Sequence, residues 1–280
     1  MRESLLIALL CFALGQDAPE LDEKAQSAAR LKLMKETAAR FEISAGGKDS
    51  KKLDLYPQPV LRWDNNRSRI VDAATFLWVA DHRPQVIGGM WIKDGHAYFD
   101  LQSVSALPLA ANVDGALRWS TSRAGMTWQR IGDGPPVAAS RAERQRQMKQ
   151  LAQEFSIHAI KNAPDYDEGS IWRFRLMAQP IYRYPDEAAV DGAIFAYAQG
   201  TDPEAFLLLE AREVEKVSRW HFGFAPACVW ELHAHRGERE VWLRPLWKHT
   251  DTDTVYGLVG PFAVDQKLFP AELIKAKEGR

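Results

Sequence analysis

The chain has 280 residues, 46% of them hydrophobic and 26% charged, with a formal net charge of −1. That is a globular composition with room for two ordinary domains, and without the positive excess that holds phosphates, so nucleic acid is not an expected partner. Its two cysteines, Cys11 and Cys228, leave a single thiol once the N-terminus is processed. There is then no disulfide framework, and apolar burial must hold the fold.

Residues 1–15 read as a signal peptide: Arg2 precedes an apolar run from Leu5 to Leu14, and Ala13 and Gly15 are small residues ahead of Gln16. The run falls short of the ~20 apolar residues that cross a bilayer. The expectation is an exported chain, periplasmic or extracellular, with no membrane span after cleavage. Residues 17–41 read as a helix, because Leu31, Met34, Ala38 and Phe41 recur at spacings of three and four.

From residue 53 the period changes to two, with strands expected over 60–63, 75–80, 85–92, 97–103, 117–120 and 126–131. Asp94-Gly95 signals a tight hairpin. Pairing across it sets Ile92 against Ala97, Met90 against Phe99 and Gly88 against Leu101 on an apolar face, and Trp91 against Tyr98 on the other. Residues 132–139, which include Gly132-Asp133-Gly134-Pro135-Pro136, read as a linker. They divide a first helix-plus-sheet unit over 16–131 from a second over 140–262, and leave 263–280 as a tail or short helix. The second unit opens with a helix over 140–158, begun by a Ser140/Glu143 capping box. Strands follow over 172–183, 194–199, 206–211, 221–235, 239–247 and 255–259.

The two units share a pattern. Gln58-Pro59-Val60-Leu61-Arg62-Trp63 and Val71-Asp72-Ala73 in the first correspond to Gln179-Pro180-Ile181-Tyr182-Arg183-Tyr184 and Val190-Asp191-Gly192 in the second. Upstream, Met34, Ala38 and Phe41 correspond to Met148, Ala152 and Phe155. The expected fold is therefore α+β with an internal duplication, each unit one helix packed on an antiparallel, aromatic-rich sheet.

Several groups carry chemical potential. Ten tryptophans fall mostly on expected strands, where aromatics either fill a core or line a binding surface. Trp78 and Trp91, with Arg62 and Arg183 of the repeat, are the candidate ligand-binding residues. Glu231, His233 and His235 alternate on one strand, with Glu240 across a Gly237-Glu238 turn. That set reads as either an ion-paired sheet face or a metal site, since alternate residues share a face and imidazole and carboxylate are zinc ligands. The expected register pairs His235 with Glu240, His233 with Trp242 and Ala234 with Val241. Cys228 lies among apolar residues and reads as a buried, inert thiol. No nucleophile elbow, phosphate-binding glycine loop or dinucleotide fingerprint is present.

The repeat segments, together with Met148-Lys149-Gln150-Leu151 and Gln199-Gly200-Thr201-Asp202-Pro203-Glu204, resemble an uncharacterised family of exported proteins from planctomycete bacteria. The resemblance covers most of the mature chain and implies an address and a shared fold, with no activity attached. A weaker likeness, in the order of elements alone, is to periplasmic lipoprotein-carrier proteins, in which a curved sheet shelters an acyl chain. The expected function is a non-catalytic exported protein that binds a partner or an amphipathic ligand in the cell envelope, with no cofactor. The alternative is a metal-dependent hydrolase built on Glu231, His233 and His235.

Overall fold

A computed structural model describes residues 23–93, 95–161, 169–184, 191–248, 253–264 and 268. The expected signal peptide over 1–15 lies outside the described residues. The described chain is mainly antiparallel sheet with two α-helices, an α+β architecture.

Helix α1 (Glu23–Ala39) buries Met34 and Ala38, and helix α2 (Arg141–Ala152) buries Met148, Leu151 and Ala152. The capping box holds: the Glu143 amide donates to Ser140 Oγ at 3.2 Å, and that hydroxyl donates to Glu143 Oε2 at 2.8 Å. Both helices end earlier than expected, at Ala39 and Ala152. Phe41–Ala45 and Phe155–Lys161 are strands. In each, large apolar residues alternate with Glu42, Ser44, Ser156 and His158, and a two-residue period overrides the helical spacing that had counted Phe41 and Phe155 as helix.

Four sheets stack around these helices. One outer sheet has four strands in the order Lys51–Lys52, Phe41–Ala45, Leu109–Val113, Ala116–Thr121. The other outer sheet has the order Ser170–Arg173, Phe155–Lys161, Glu231–Arg236, Arg239–Arg244. The first inner sheet has the order Tyr256–Ala263, His96–Ser103, Arg83–Lys93, Ile70–Ala80, Asp54–Leu55, with Leu61–Asn65 also paired to Ile70–Ala80. The second inner sheet has the order Gln129–Arg130, Val217–Pro226, Asp202–Val214, Asp191–Gln199, Arg175–Leu176, with Tyr182–Arg183 also paired to Asp191–Gln199. The edge strands are exchanged. Gln129–Arg130, which precedes α2, closes the second inner sheet, and the late strand Tyr256–Ala263 closes the first.

Each inner sheet has two covered faces. One packs on its own helix and outer sheet, as where Phe76, Trp78 and Phe99 meet Met34, Phe41 and Ile43. The other faces the opposite inner sheet, where Leu77 and Ile87 meet Ile194, Phe206 and Leu208. Burial on both sides explains why Ile70–Ala80 and Asp191–Gln199 read as nearly continuous apolar runs.

The hairpin across residues 94 and 95 has the expected register, with Ile92 opposite Ala97, Met90 opposite Phe99 and Gly88 opposite Leu101. Further expectations need correction. The strand expected over 172–183 is three short strands, Ser170–Arg173 in an outer sheet and Arg175–Leu176 and Tyr182–Arg183 in the second inner sheet. Leu109–Val113 is a strand that went unrecognised, because its small residues Ala110 and Ala111 hide the alternation. The single strand over 221–235 is two strands in different sheets, broken after Pro226. In the later hairpin His235 pairs with Glu240, but a bulge after Ala234 sets Ala234 against Trp242 and His233 against Leu243, one residue off the expected register.

Candidate functional site

The inner sheets meet over two zones of different character. At one, apolar side chains from both sheets interlock. At the other lies a cavity of about 260 Å³. Its floor is one face of the first inner sheet, three adjacent register rows deep. The first row is Trp63, Ala73, Trp91 and Tyr98. The second is Leu61, Thr75, Gly89, Asp100 and Leu258. The third is Leu77, Ile87, Gln102 and Tyr256. Residues in register, and residues two apart along a strand, share a face, so Trp63, Trp91, Thr75, Asp100 and Gln102 all belong to this floor, and all five line the cavity. Lys161, Asp202, Glu204, Cys228 and Trp230 line it from the second half of the chain.

Asp100 is the centre of the floor. Its side chain lies over Gly89, whose amide donates to Asp100 Oδ1 at 2.6 Å, and Tyr256 donates its hydroxyl to Oδ2 at 3.4 Å. A Cβ on residue 89 would collide with that carboxylate, so the position requires glycine. Asp100 is 8% exposed, and burial pushes its carboxyl up to about 7, against the pull of the Gly89 and Tyr256 hydrogen bonds and with a push from nearby Glu204. Asp202 is raised well above the usual carboxylate range by burial and by Glu204, although Asn65 Nδ2 donates to it at 2.7 Å. Burial also raises Glu204, with Lys161 and a hydrogen bond from Cys228 opposing. The Cys228 thiol itself is raised well above its ordinary value by burial and by Glu204, so it stays protonated and a poor nucleophile.

Three polar atoms on the floor are buried without a hydrogen-bond partner among the described residues: Trp63 Nε1, Thr75 Oγ1 and Gln102 Oε1. A native protein rarely leaves such groups unpaired.

The corresponding rows of the second inner sheet are filled. Where the first has Leu61, Thr75, Gly89 and Asp100, the second has Tyr182, Ile194, Leu208 and Gly223. Met126 sulfur occupies the space over Gly223. Where the first has Trp91, the second has Glu210, which Arg83 meets at 2.9 Å and Arg212 at 2.6 Å. No family model, curated protein or solved structure matches the chain.

The residues singled out from the sequence are dispersed. Trp91 is on the cavity floor, while Trp78 is 1% exposed in the core between inner and outer sheet and takes no part in the lining. Arg62 donates from Nε to Asp72 Oδ1 at 2.8 Å and from Nη2 to the Ser27 carbonyl of α1 at 2.8 Å, while Arg30 of α1 donates to Asp72 Oδ2 at 2.8 Å. Arg183 is placed in the same way. It donates to Asp191 Oδ2 at 2.9 Å and to the Arg141 carbonyl of α2 at 2.8 Å, and Arg144 of α2 donates to the same carboxylate. Both arginines thus tie a helix to an inner sheet.

Glu231, His233, His235 and Glu240 form a cluster on the second outer sheet. His233 engages Glu240 Oε2 through Nδ1 at 2.6 Å and Glu231 Oε1 through Nε2 at 3.0 Å. His158, on the neighbouring strand, stacks on His233 at 5.0 Å and on His235 at 5.4 Å. The rings lie parallel instead of converging, and among the described residues no group of three or more histidine, cysteine or acidic side chains is placed to hold a metal ion. Burial works to lower His233, but its bonds to Glu240 and Glu231 outweigh that and raise it, whereas burial and the two neighbouring imidazoles lower His158.

Asp100, Gln102, Asp202 and Glu204 were not distinguished in the sequence. One signal was available: each is a polar or acidic residue at an inward position of a strand otherwise buried on both faces, and Gly89 stands opposite Asp100.

Proposed function

We propose that this is an exported, non-catalytic protein of the cell envelope that binds a small amphipathic molecule between its two inner sheets. The observation that carries this reading is the cavity of about 260 Å³, walled by Trp63 and Trp91 and floored by Thr75, Asp100 and Gln102. Aromatic walls with a few convergent polar groups are the usual make-up of a small-molecule site. Unpartnered buried atoms on Trp63, Thr75 and Gln102 are what a polar ligand satisfies. The signal-like N-terminus and the resemblance to exported planctomycete proteins support the address.

An internal duplication is part of the same proposal. The strand orders of the two outer sheets and of the two inner sheets correspond, and an Arg–Asp–Arg cluster joins helix to sheet in each half. A copied half-length module, fused and then diverged, accounts for both. One copy keeps an open polar row and the other fills it with Ile194 and Leu208.

The test uses that difference. Gly89→Leu with Asp100→Gly installs the leucine and glycine of the filled row. In ligand-observed NMR against a fragment library, fragments bind the wild-type chain and lose binding to the double variant, whose fold is checked by circular dichroism. Equal binding to both chains would place the ligand elsewhere and remove the support for this reading.

A further inference from the structure

Resting on the cavity reading above, we infer that the ligand carries a primary ammonium group, seated over Asp100 with Thr75 and Gln102 and with its apolar body against Trp63 and Trp91.

Three of the other buried carboxylates show how this fold neutralises such a charge. Asp72 has Arg30 and Arg62, Asp191 has Arg144 and Arg183, and Glu210 has Arg83 and Arg212. Each is matched by two guanidinium groups. Asp100 is buried as these are but has no cationic partner among the described residues, only the Gly89 amide and the Tyr256 hydroxyl. A buried carboxylate without a counter-charge is expensive. The guanidinium pair is absent at Asp100, as it is at Glu204, where Lys161 and the Cys228 thiol act instead.

The surrounding atoms specify the kind of cation. Thr75 Oγ1 and Gln102 Oε1 are unpartnered. Gln102 spends its amide nitrogen on the Ser103 carbonyl at 2.5 Å, which leaves the oxygen as the free end. Thr75 is in register with Gly89, over which the Asp100 carboxyl lies, and is one strand spacing away, about 4.8 Å. Gln102 is two residues from Asp100 on the same face. Three oxygen acceptors at neighbouring positions on one cavity face match the three donors of an alkylammonium. Trp63 and Trp91, one row further along, line the cavity and give an apolar, aromatic surface to whatever is attached, and aromatic rings also attract cations.

The basic groups of the cavity do not fill this seat. Lys161 donates to Gln199 Oε1 at 3.4 Å and stands 4.2 Å from the Trp172 ring centroid and 5.2 Å from that of Trp230. Arg67 lies over Trp172 at 4.3 Å. Lys161 sits toward Asp202 and Glu204 and acts on those two carboxyls. Lys93 is on the lining beyond Trp91, two residues further along its strand.

An ammonium seated here favours ionised Asp100, so binding releases a proton to solvent and strengthens as pH rises. The experiment is isothermal titration calorimetry near pH 7 with methylamine, butylamine, phenethylamine and 1,4-diaminobutane, each beside its neutral alcohol, in two buffers of different ionisation enthalpy. At least one amine binds tenfold or more tightly than its alcohol, its heat differs between buffers by the ionisation heat of released protons, and Asp100→Asn abolishes both effects. Thr75→Val, a milder change, weakens the amine several-fold and leaves the alcohol unchanged. If alcohols bind as well as amines with no proton release, the cavity reading stands and the ammonium inference falls. If no probe of either kind binds, both fall.

Discussion

Asp100→Asn should change how stability depends on pH, by an amount that follows from the site. The Asp100 carboxyl moves from the ordinary 3.8 to about 7 on folding, mainly through burial. Between those values the folded chain holds a proton that the unfolded chain has released, so stability falls as pH rises through that window. At roughly 1.36 kcal/mol per unit, a rise of about 3 units removes about 4 kcal/mol between pH 4 and pH 7. Asparagine keeps the shape and has no proton to lose. Urea unfolding followed by tryptophan fluorescence, on both chains across that range, reads the difference directly. The variant gains on the wild type by about 4 kcal/mol at neutral pH relative to pH 4. Asp202 and Glu204 titrate upward in both chains, so their share largely cancels in the comparison. Parallel pH profiles for the two chains would show that Asp100 is hydrated or paired, and would refute the account of the cavity floor given above.

Asp72→Asn and Asp191→Asn each leave two arginines facing a neutral group, and each should cost about 3–5 kcal/mol in urea unfolding, as loss of one partner of a buried ion pair does. Asp114→Asn, which disturbs the exposed pair with Arg40, should leave the unfolding midpoint close to that of the wild type in the same assay, because solvent screens that pair. In NMR titrations His233 should protonate above the usual 6.5 and His158 below it, and Glu240→Gln should bring His233 down. His233 therefore adds stability at low pH that is lost as pH rises through its raised value. Ser140→Ala removes the cap of α2 and should cost roughly 1 kcal/mol in thermal unfolding.

Much of the framework was legible because it is local. The Ser140–Glu143 cap depends on residues three apart, and the hairpin across residues 94 and 95 on a two-residue turn with alternating neighbours. The same local reading misplaced Phe41 and Phe155, since one aromatic residue at the end of a helical pattern also fits the start of a strand. The bulge after Ala234 lay beyond it too, because a bulge depends on the fit of the whole sheet.

By itself the sequence determined which residues punctuate the strands, where α2 is capped, and that Arg62 and Arg183 lie in segments of similar residue types. Only the tertiary structure decided that Asp72 and Asp191 hold those arginines, that the edge strands are exchanged, and that Asp100 lies over Gly89 facing Thr75, Gln102 and the tryptophans. These contacts join different strands and helices, from 8 positions apart for Arg183 and Asp191 to 156 for Tyr256 and Asp100. Periodicity reports which face of a strand is buried and says nothing of what lies opposite, so an inward Asp100 and an inward Ile194 differ in meaning only once the facing sheets are in place.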